Sequence, residues 1–460
     1  MKFDTIIRNG TIITATDIFR GDIGIKKGKI NKIGISLDED GDITIDATGK
    51  YIFPGGIDPH THLDMPFGGT FSSDDFETGT IAAACGGTTT IVDFAVQPKG
   101  ANLKETARIW REKAEGKAVI DYGIHMNITH MDDEILNEIP LMIKDGYPSF
   151  KVFMTYEGMR VDDGILFKTL KQVNESGGLT CVHAENFHII KCNVERLLNE
   201  GKIEPKYHAI SRGPLVEGEA VGRAIKIAKM AGAPLYIVHN TCKEAVDEIA
   251  RAREEEYPIM GETCTQYLLL SEDEYFKDGF EGAKCVMSPP LRNKENFKYL
   301  WKAIRNNTLQ VVATDHCPFF MKQKELGKES FDKIPNGAPG IELRMALLYT
   351  YGVLNKEISV NKFVEVTSTN AAKIYGMYPK KGTIAVGSDA DLVIFDPKKE
   401  VDITSEKLHE NVDYTPYEGF KLKGFPEVTL SRGEIIANKG EFVGKIGRGE
   451  FLRRNSPIIL

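Results

Sequence analysis

Between residues 51 and 316 the chain alternates short apolar, β-branched segments with amphipathic helical text, and this alternation constrains the fold more than any other feature. Eight candidate strands can be counted: 51–58 (YIFPGGID), 88–96 (TTTIVDFAV), 119–128 (VIDYGIHMNI), 149–156 (SFKVFMTY), 178–185 (GLTCVHAE), 234–241 (PLYIVHNT), 259–269 (IMGETCTQYLL) and 309–316 (LQVVATDH). Most are followed by helix-like stretches such as DDFETGTIAAAC and TCKEAVDEIARAREEE. Eight β–α alternations over roughly 320 residues predict an α/β fold of the TIM (β/α)8 barrel type, with insertions. A doubly wound open sheet alternates in the same way, but no G-x-G-x-x-G follows the first strand. The two ends of the chain read differently. The first 50 residues, with turns at Asn9-Gly10 and Lys27-Gly28, and the segments 382–396 and 428–444 are β-rich. Neither end has enough strands for its own core, so the two are expected to pair in one small β-sandwich. The expected division is 1–53 and 380–441 for the sandwich, 54–379 for the barrel, and 442–460 for a tail that is a subunit-contact arm or a frayed end.

Composition narrows the partners. The 460 residues carry 66 acids against 58 bases, a net charge of −8, which argues against nucleic acid as the main partner. No run of about 18 apolar residues occurs, so no membrane span is expected. The start, MKFDTIIRNG, has no apolar signal core and reads as a strand. Seven Cys are scattered without a C-x-x-C pair, which fits reduced thiols and a cytoplasmic setting.

The strongest local motif is Asp58-Pro59-His60-Thr61-His62. Residues two apart on a strand share a face, so His60 and His62 can reach one cation. His183 and His239 stand near the ends of the fifth and sixth strands, and Asp315 near the end of the eighth. Barrel active sites lie at the C-terminal ends of the strands, so these residues are expected on one rim. Each alone has an ordinary structural reading; four His and one Asp at the strand ends of one barrel do not. Lys151 lies in an apolar strand. Alternation puts Phe150, Val152 and Met154 on one face and Lys151 with Phe153 on the other, toward the barrel interior. A buried ammonium must be paired with an inward carboxylate, neutral, or modified. A neutral amine that captures carbon dioxide would become a carbamate able to bridge two cations. Two divalent cations would then be nearly balanced by the carbamate, Asp315 and a bridging hydroxide. The nitrogen and oxygen donors suit zinc first, and also manganese, cobalt or nickel. Cys181 and Cys317 read as packing neighbours rather than ligands. His125, His130 and His316 are left out of the set.

Taken together, residues 54–94 (PGGIDPHTHLDMPFGGTFSSDDFETGTIAAACGGTTTIVDF), SFKVFMTY, CVHAE, VHNTC, SPPLR (288–292) and ATDHCPF (313–319) resemble the cyclic amidohydrolases of the amidohydrolase superfamily. The likeness runs over essentially the whole chain and is nearest to the bacterial D-hydantoinase and dihydropyrimidinase group. It implies a binuclear centre in which His60, His62 and Asp315 hold one ion, His183 and His239 the second, and carboxylated Lys151 bridges both. It implies that Tyr156 donates to the carbonyl oxygen and that Ser288 and Asn336 hold the ring amide. Met65, Phe153 and Met159 would form the pocket for the substituent at ring position five. The implied reaction is metal-activated attack of hydroxide on 5-substituted hydantoins or 5,6-dihydropyrimidines, small neutral rings, giving N-carbamoyl amino acids. Asp315 would carry the proton. Dihydroorotase relatives typically place an Arg two residues after the H-x-H, where this chain has Asp64. Allantoinase-like or dihydroorotase-like activity, and a non-catalytic scaffold role, are the alternative readings. Homotetramers, or dimers, are the assembly that the likeness implies.

Overall fold

The computed structural model describes residues 2–460. Eight parallel strands form the barrel: β1 (Gly56–Thr61), β2 (Thr88–Val96), β3 (Asp121–Asn127), β4 (Ser149–Phe153), β5 (Leu179–His183), β6 (Leu235–Ile237), β7 (Ile259–Cys264) and β8 (Val311–Ala313). Each neighbours the next in order from β1 to β8. Burial on both faces explains their near-continuous apolar text, since helices cover the outside. Those helices begin where the sequence offers a side-chain cap. Asn102, Asp132, Asp162 and Asn186 each accept a hydrogen bond from the backbone N–H three residues on, at Glu105, Ile135, Ile165 and Ile189. The helix Leu103–Ala114 then buries Leu103, Thr106, Ala107, Trp110 and Ala114, the spacing of one helical face.

The barrel closes at a seam between β1 and β8. Among the described residues these two strands share no continuous ladder, and side chains join them instead. Thr314 Oγ1 donates to Asp58 Oδ2 (2.5 Å), and the buried Arg344 guanidinium donates to the carbonyls of Ile57 (2.9 Å) and Val312 (3.1 Å). Just past the strands, Thr61 pairs with His316 and the His62 N–H donates to the His316 carbonyl (2.9 Å). The residues that carry the chemistry on β1 and after β8 therefore stand side by side.

The expected first strand, 51–58, divides. Tyr51–Pro54 leaves the barrel and joins the terminal sheet, parallel to Phe3–Ile13 and antiparallel to Leu392–Asp402; the barrel strand starts only at Gly56. Gly55 marks the break. Its N–H donates to Asp391, and a Cβ there would stand 2.1 Å from Thr89 Oγ1. The segment Tyr51–Pro54 thus couples both chain ends into one nine-stranded sheet. That sheet buries its own isoleucine-rich core, in which Ile7, Ile12, Ile23, Ile25 and Ile30 from the first end meet Leu392, Ile394 and Leu430 from the second.

The C-terminal tail packs on its own chain at the opposite barrel rim. Leu452 N–H donates to Tyr122, Asn455 N–H to Gly376 and Ile458 N–H to Lys373, while Arg454 inserts its buried guanidinium against the Ile124 carbonyl. No helix among the described residues is long and apolar enough to cross a membrane.

Candidate functional site

The C-terminal rim holds a small, partly open pocket. Its lining includes all twelve residues singled out in the sequence: His60, His62, Met65, Lys151, Phe153, Tyr156, Met159, His183, His239, Ser288, Asp315 and Asn336. Phe67, Met287, Cys317 and Gly337 complete it. His125 and His316 do not line it. His125 is held between Ser149 and the Pro59 carbonyl, and His316 pairs with Asp74 (2.9 Å) while its ring nitrogen receives Gly340 N–H.

The β1/β8 seam brings three donors together. Asp315 Oδ1 lies 3.1 Å from His60 Nε2 and 3.0 Å from His62 Nε2, and one ligand atom from each lies within 4.8 Å of the others. Behind His60, its Nδ1 meets Glu262, a fully buried carboxylate on β7. The Tyr236 hydroxyl donates to the same carboxylate (2.9 Å). Glu262 was not singled out in the sequence, although a carboxylate inside an apolar barrel strand carries the same signal as Lys151. Phe94 of β2 floors this side, with its ring 5.1 Å from that of His62 and 4.6 Å from that of His60.

Across the pocket the rings of His183 and His239 meet edge to face at 4.4 Å. His183 Nε2 bonds Glu185 (2.8 Å), whose carboxylate also receives Arg212 (2.9 Å). Lys151 is fully buried, as alternation predicts, and Phe150, Val152 and Met154 lie in the barrel core on the other face. The salt bridge considered for Lys151 is not present. Among the described residues Nζ has neither an ion-pair nor a hydrogen-bond partner and lies over the rings of Phe94 (4.6 Å) and Phe153 (5.0 Å).

Burial dominates the electrostatics. It lowers His62 to about 4 against the pull of Asp315, and it holds His183 and His239 below the usual imidazole range. For His60 burial is outweighed by Asp315 and Glu262, which raise it to about 9. For Asp315 burial is outweighed by the two imidazoles, which hold it well below the carboxylate range. Burial brings Lys151 down to about 8 and pushes the Tyr156 phenol above its usual range.

Three of these residues sit in left-handed backbone: Tyr156 at φ +73°, His239 at +37° and Asp315 at +54°. Side chains rarely adopt that region, and such strain clusters at functional sites. Each follows the end of a barrel strand, where the turn aims the side chain inward.

The arrangement fits divalent metal. Imidazoles and a carboxylate are its donors, and the buried His60 Nε2, His62 Nδ1, His239 Nδ1 and Lys151 Nζ find no hydrogen-bond partner among the described residues. The pattern of the amidohydrolase family matches residues 51–436. The chain belongs to the amidohydrolase family. This amidohydrolase is 52% identical over 452 residues to the D-hydantoinase of Geobacillus stearothermophilus, covering 98% of this chain and 96% of that relative. The crystal structure of dihydropyrimidinase from Brevibacillus agri NCHU1002 matches with a TM-score of 0.98 at 50% identity, covering 99% of each chain. The L-hydantoinase (dihydropyrimidinase) from Arthrobacter aurescens matches with a TM-score of 0.90 at 30% identity, covering 98% of this chain and 99% of that one. Membership implies use of divalent metal.

Proposed function

We propose that this amidohydrolase adds water across a ring amide bond of 5-substituted hydantoins and 5,6-dihydropyrimidines, opening them to N-carbamoyl amino acids. The chain is a hydrolase of cyclic-amide C–N bonds. The observation that carries the reading is one buried pocket lined by four imidazoles, a carboxylate, an unpaired lysine and a phenol.

His60, His62 and Asp315 would hold one divalent ion and His183 and His239 a second, with carboxylated Lys151 between them. Bound there, two cations, zinc by preference, supply Lewis acidity and a nucleophile from water near neutral pH. Lys151 supports its role by being buried and unpaired. Moving its pKa from 10.5 to about 8 raises the neutral fraction at pH 7 from roughly one in three thousand to roughly one in ten. The neutral amine attacks carbon dioxide, forming an N–C bond and releasing a proton, and the product is a carboxylate on a long arm.

Asp315 is ionised over the working range and takes the proton of the attacking water, then delivers it to the leaving ring nitrogen. Tyr156 stays protonated and donates to the carbonyl oxygen as negative charge develops there. Ser288 and Asn336, joined by a 3.0 Å bond from Ser288 Oγ to Asn336 Oδ1, hold the ring amide. Met65, Phe153 and Met159 give the ring substituent an apolar, adaptable wall.

A neutral ring is favoured over an anionic one. The described lining residues include no arginine, and their one lysine is Lys151. Asp64, at the position of the dihydroorotase Arg, faces Lys113 instead (3.5 Å). Preference for the D enantiomer is supported by 52% identity to a D-hydantoinase against 30% to an L-hydantoinase. Seven unpaired cysteines, six of them buried, support a cytoplasmic setting. The proposed assembly is a homotetramer, as the sequence resemblance implies.

The test is metal content together with ring opening of D- and L-5-phenylhydantoin, dihydrouracil, allantoin and dihydroorotate. Two divalent ions per chain, and a D-hydantoin opened at least about tenfold faster than its L enantiomer, are expected. Turnover confined to allantoin or dihydroorotate would contradict the reading.

A further inference from the structure

We propose that Lys324 is a positioning residue for substrate binding: its buried ammonium ties residues 286–288 to residues 335–337, the two backbone segments that would take the ring amide. The inference rests on the assignment of Ser288 and Asn336 made above.

Lys324 ends a four-residue helical turn, Met321–Lys324, in the charge-rich text MKQKELGKES. A lysine there would ordinarily carry its ammonium to water. This one is fully buried, and no carboxylate among the described residues lies within ion-pair distance. Its Nζ instead donates to three main-chain carbonyls: Val286 (2.9 Å), Pro335 (2.8 Å) and Gly337 (2.6 Å). Burial brings the Lys324 pKa down to about 7; in its protonated form the group has three protons, and the three carbonyls use its donors in full. Charge buried against neutral acceptors alone is costly, and a methionine of similar length would fill the same space without that cost. What methionine cannot do is hold three carbonyls at one point.

Those carbonyls are placed to matter. Val286 precedes Met287 and Ser288, which line the pocket; Pro335 and Gly337 flank Asn336, and Gly337 itself lines it. The two segments also touch directly, through Gly337 N–H to the Val286 carbonyl (2.9 Å) and Ser288 Oγ to Asn336. Gly337 is pressed onto the residue two after Asp315: a Cβ on it would stand 2.2 Å from the Cys317 carbonyl. Lys324 itself does not line the pocket. It acts through the backbone on either side of Ser288 and Asn336, at a distance from the reacting atoms.

A residue that sets only how the ring is held affects ground state and transition state alike, so its loss raises KM and leaves kcat. Lys324→Met is expected to raise KM for the hydantoin about tenfold or more, with kcat within about threefold and metal content unchanged. Lys324→Gln, which keeps part of the donor set, is expected to fall between. A KM within about twofold of the parent in Lys324→Met, or a fall in kcat that tracks lost metal, would overturn the proposal. Hydrogen exchange on the unmodified protein decides the matter even where a variant does not fold. The Gly337 amide is expected to exchange as slowly as the β8 amides, and exchange at the rate of an open loop would overturn the staple. Failure of the functional reading is a separate outcome, seen in the unmodified protein, which would then open no ring.

Discussion

The two halves of the pocket differ in where their negative charge comes from. On the β1/β8 seam, Asp315 sits within 3.1 Å of both His60 and His62, and Glu262 backs His60 from behind. On the opposite side, His183 and His239 stand edge to face with Lys151 near them, and the carboxylate that touches His183 is Glu185, which Arg212 already claims. The first half is a ready cation site built from encoded side chains. The second places a cationic amine where a second cation would need an anion. The difference teaches that the pocket becomes symmetric in charge only if Lys151 changes sign, which the proposed carboxylation would do.

The sharpest way to break the comparison is Lys151→Ala. Ring opening is expected to fall by about 10⁴-fold or more, because the proposed bridge between the halves would be lost. Metal analysis should show the His183–His239 half emptied first; full occupancy with near-normal turnover would contradict it. A smaller effect is expected from Tyr156→Phe, which would remove the proposed donor to the developing oxyanion and leave both halves intact. It should lower kcat by about 10² to 10³ with metal content unchanged, in steady-state kinetics beside metal analysis. Smaller still is Glu262→Gln, which acts on one half alone. It is expected to weaken binding of one of the two ions about 10- to 100-fold and leave the other unchanged, read by titration with a metal-chelating dye. Equal weakening of both ions would show that the halves are not separable.

Much of this was legible in the sequence because strands announce themselves by alternation. The expected segments overlap all eight barrel strands, though the seventh, 259–269, ends at Cys264 where a helix begins, and the period of two puts Lys151 with Phe153 on the interior face. The first strand was misplaced for a physical reason. Ile52 and Phe53 are as apolar as Ile57, and only pairing with Leu392–Asp402, over 300 residues away, assigns them to the terminal sheet. Tyr156, Ser288 and Asn336 lie on turns after or between strands, where side-chain direction comes from tertiary contacts rather than periodicity, so family likeness alone pointed to them. Glu262 carried a readable signal, a carboxylate in an apolar strand, and went unused. Lys324 carried none. In MKQKELGKES it looks like one more solvated lysine, and its burial follows from how two distant loops close over it.

Both halves of the proposed centre depend on a carbamate at Lys151. Metal-depleted protein reloaded with zinc in ¹³C-labelled bicarbonate is expected to show one carbamate resonance per chain, absent in Lys151→Ala and lost together with the metal on chelation. A fully loaded, active protein with no such resonance would contradict the account.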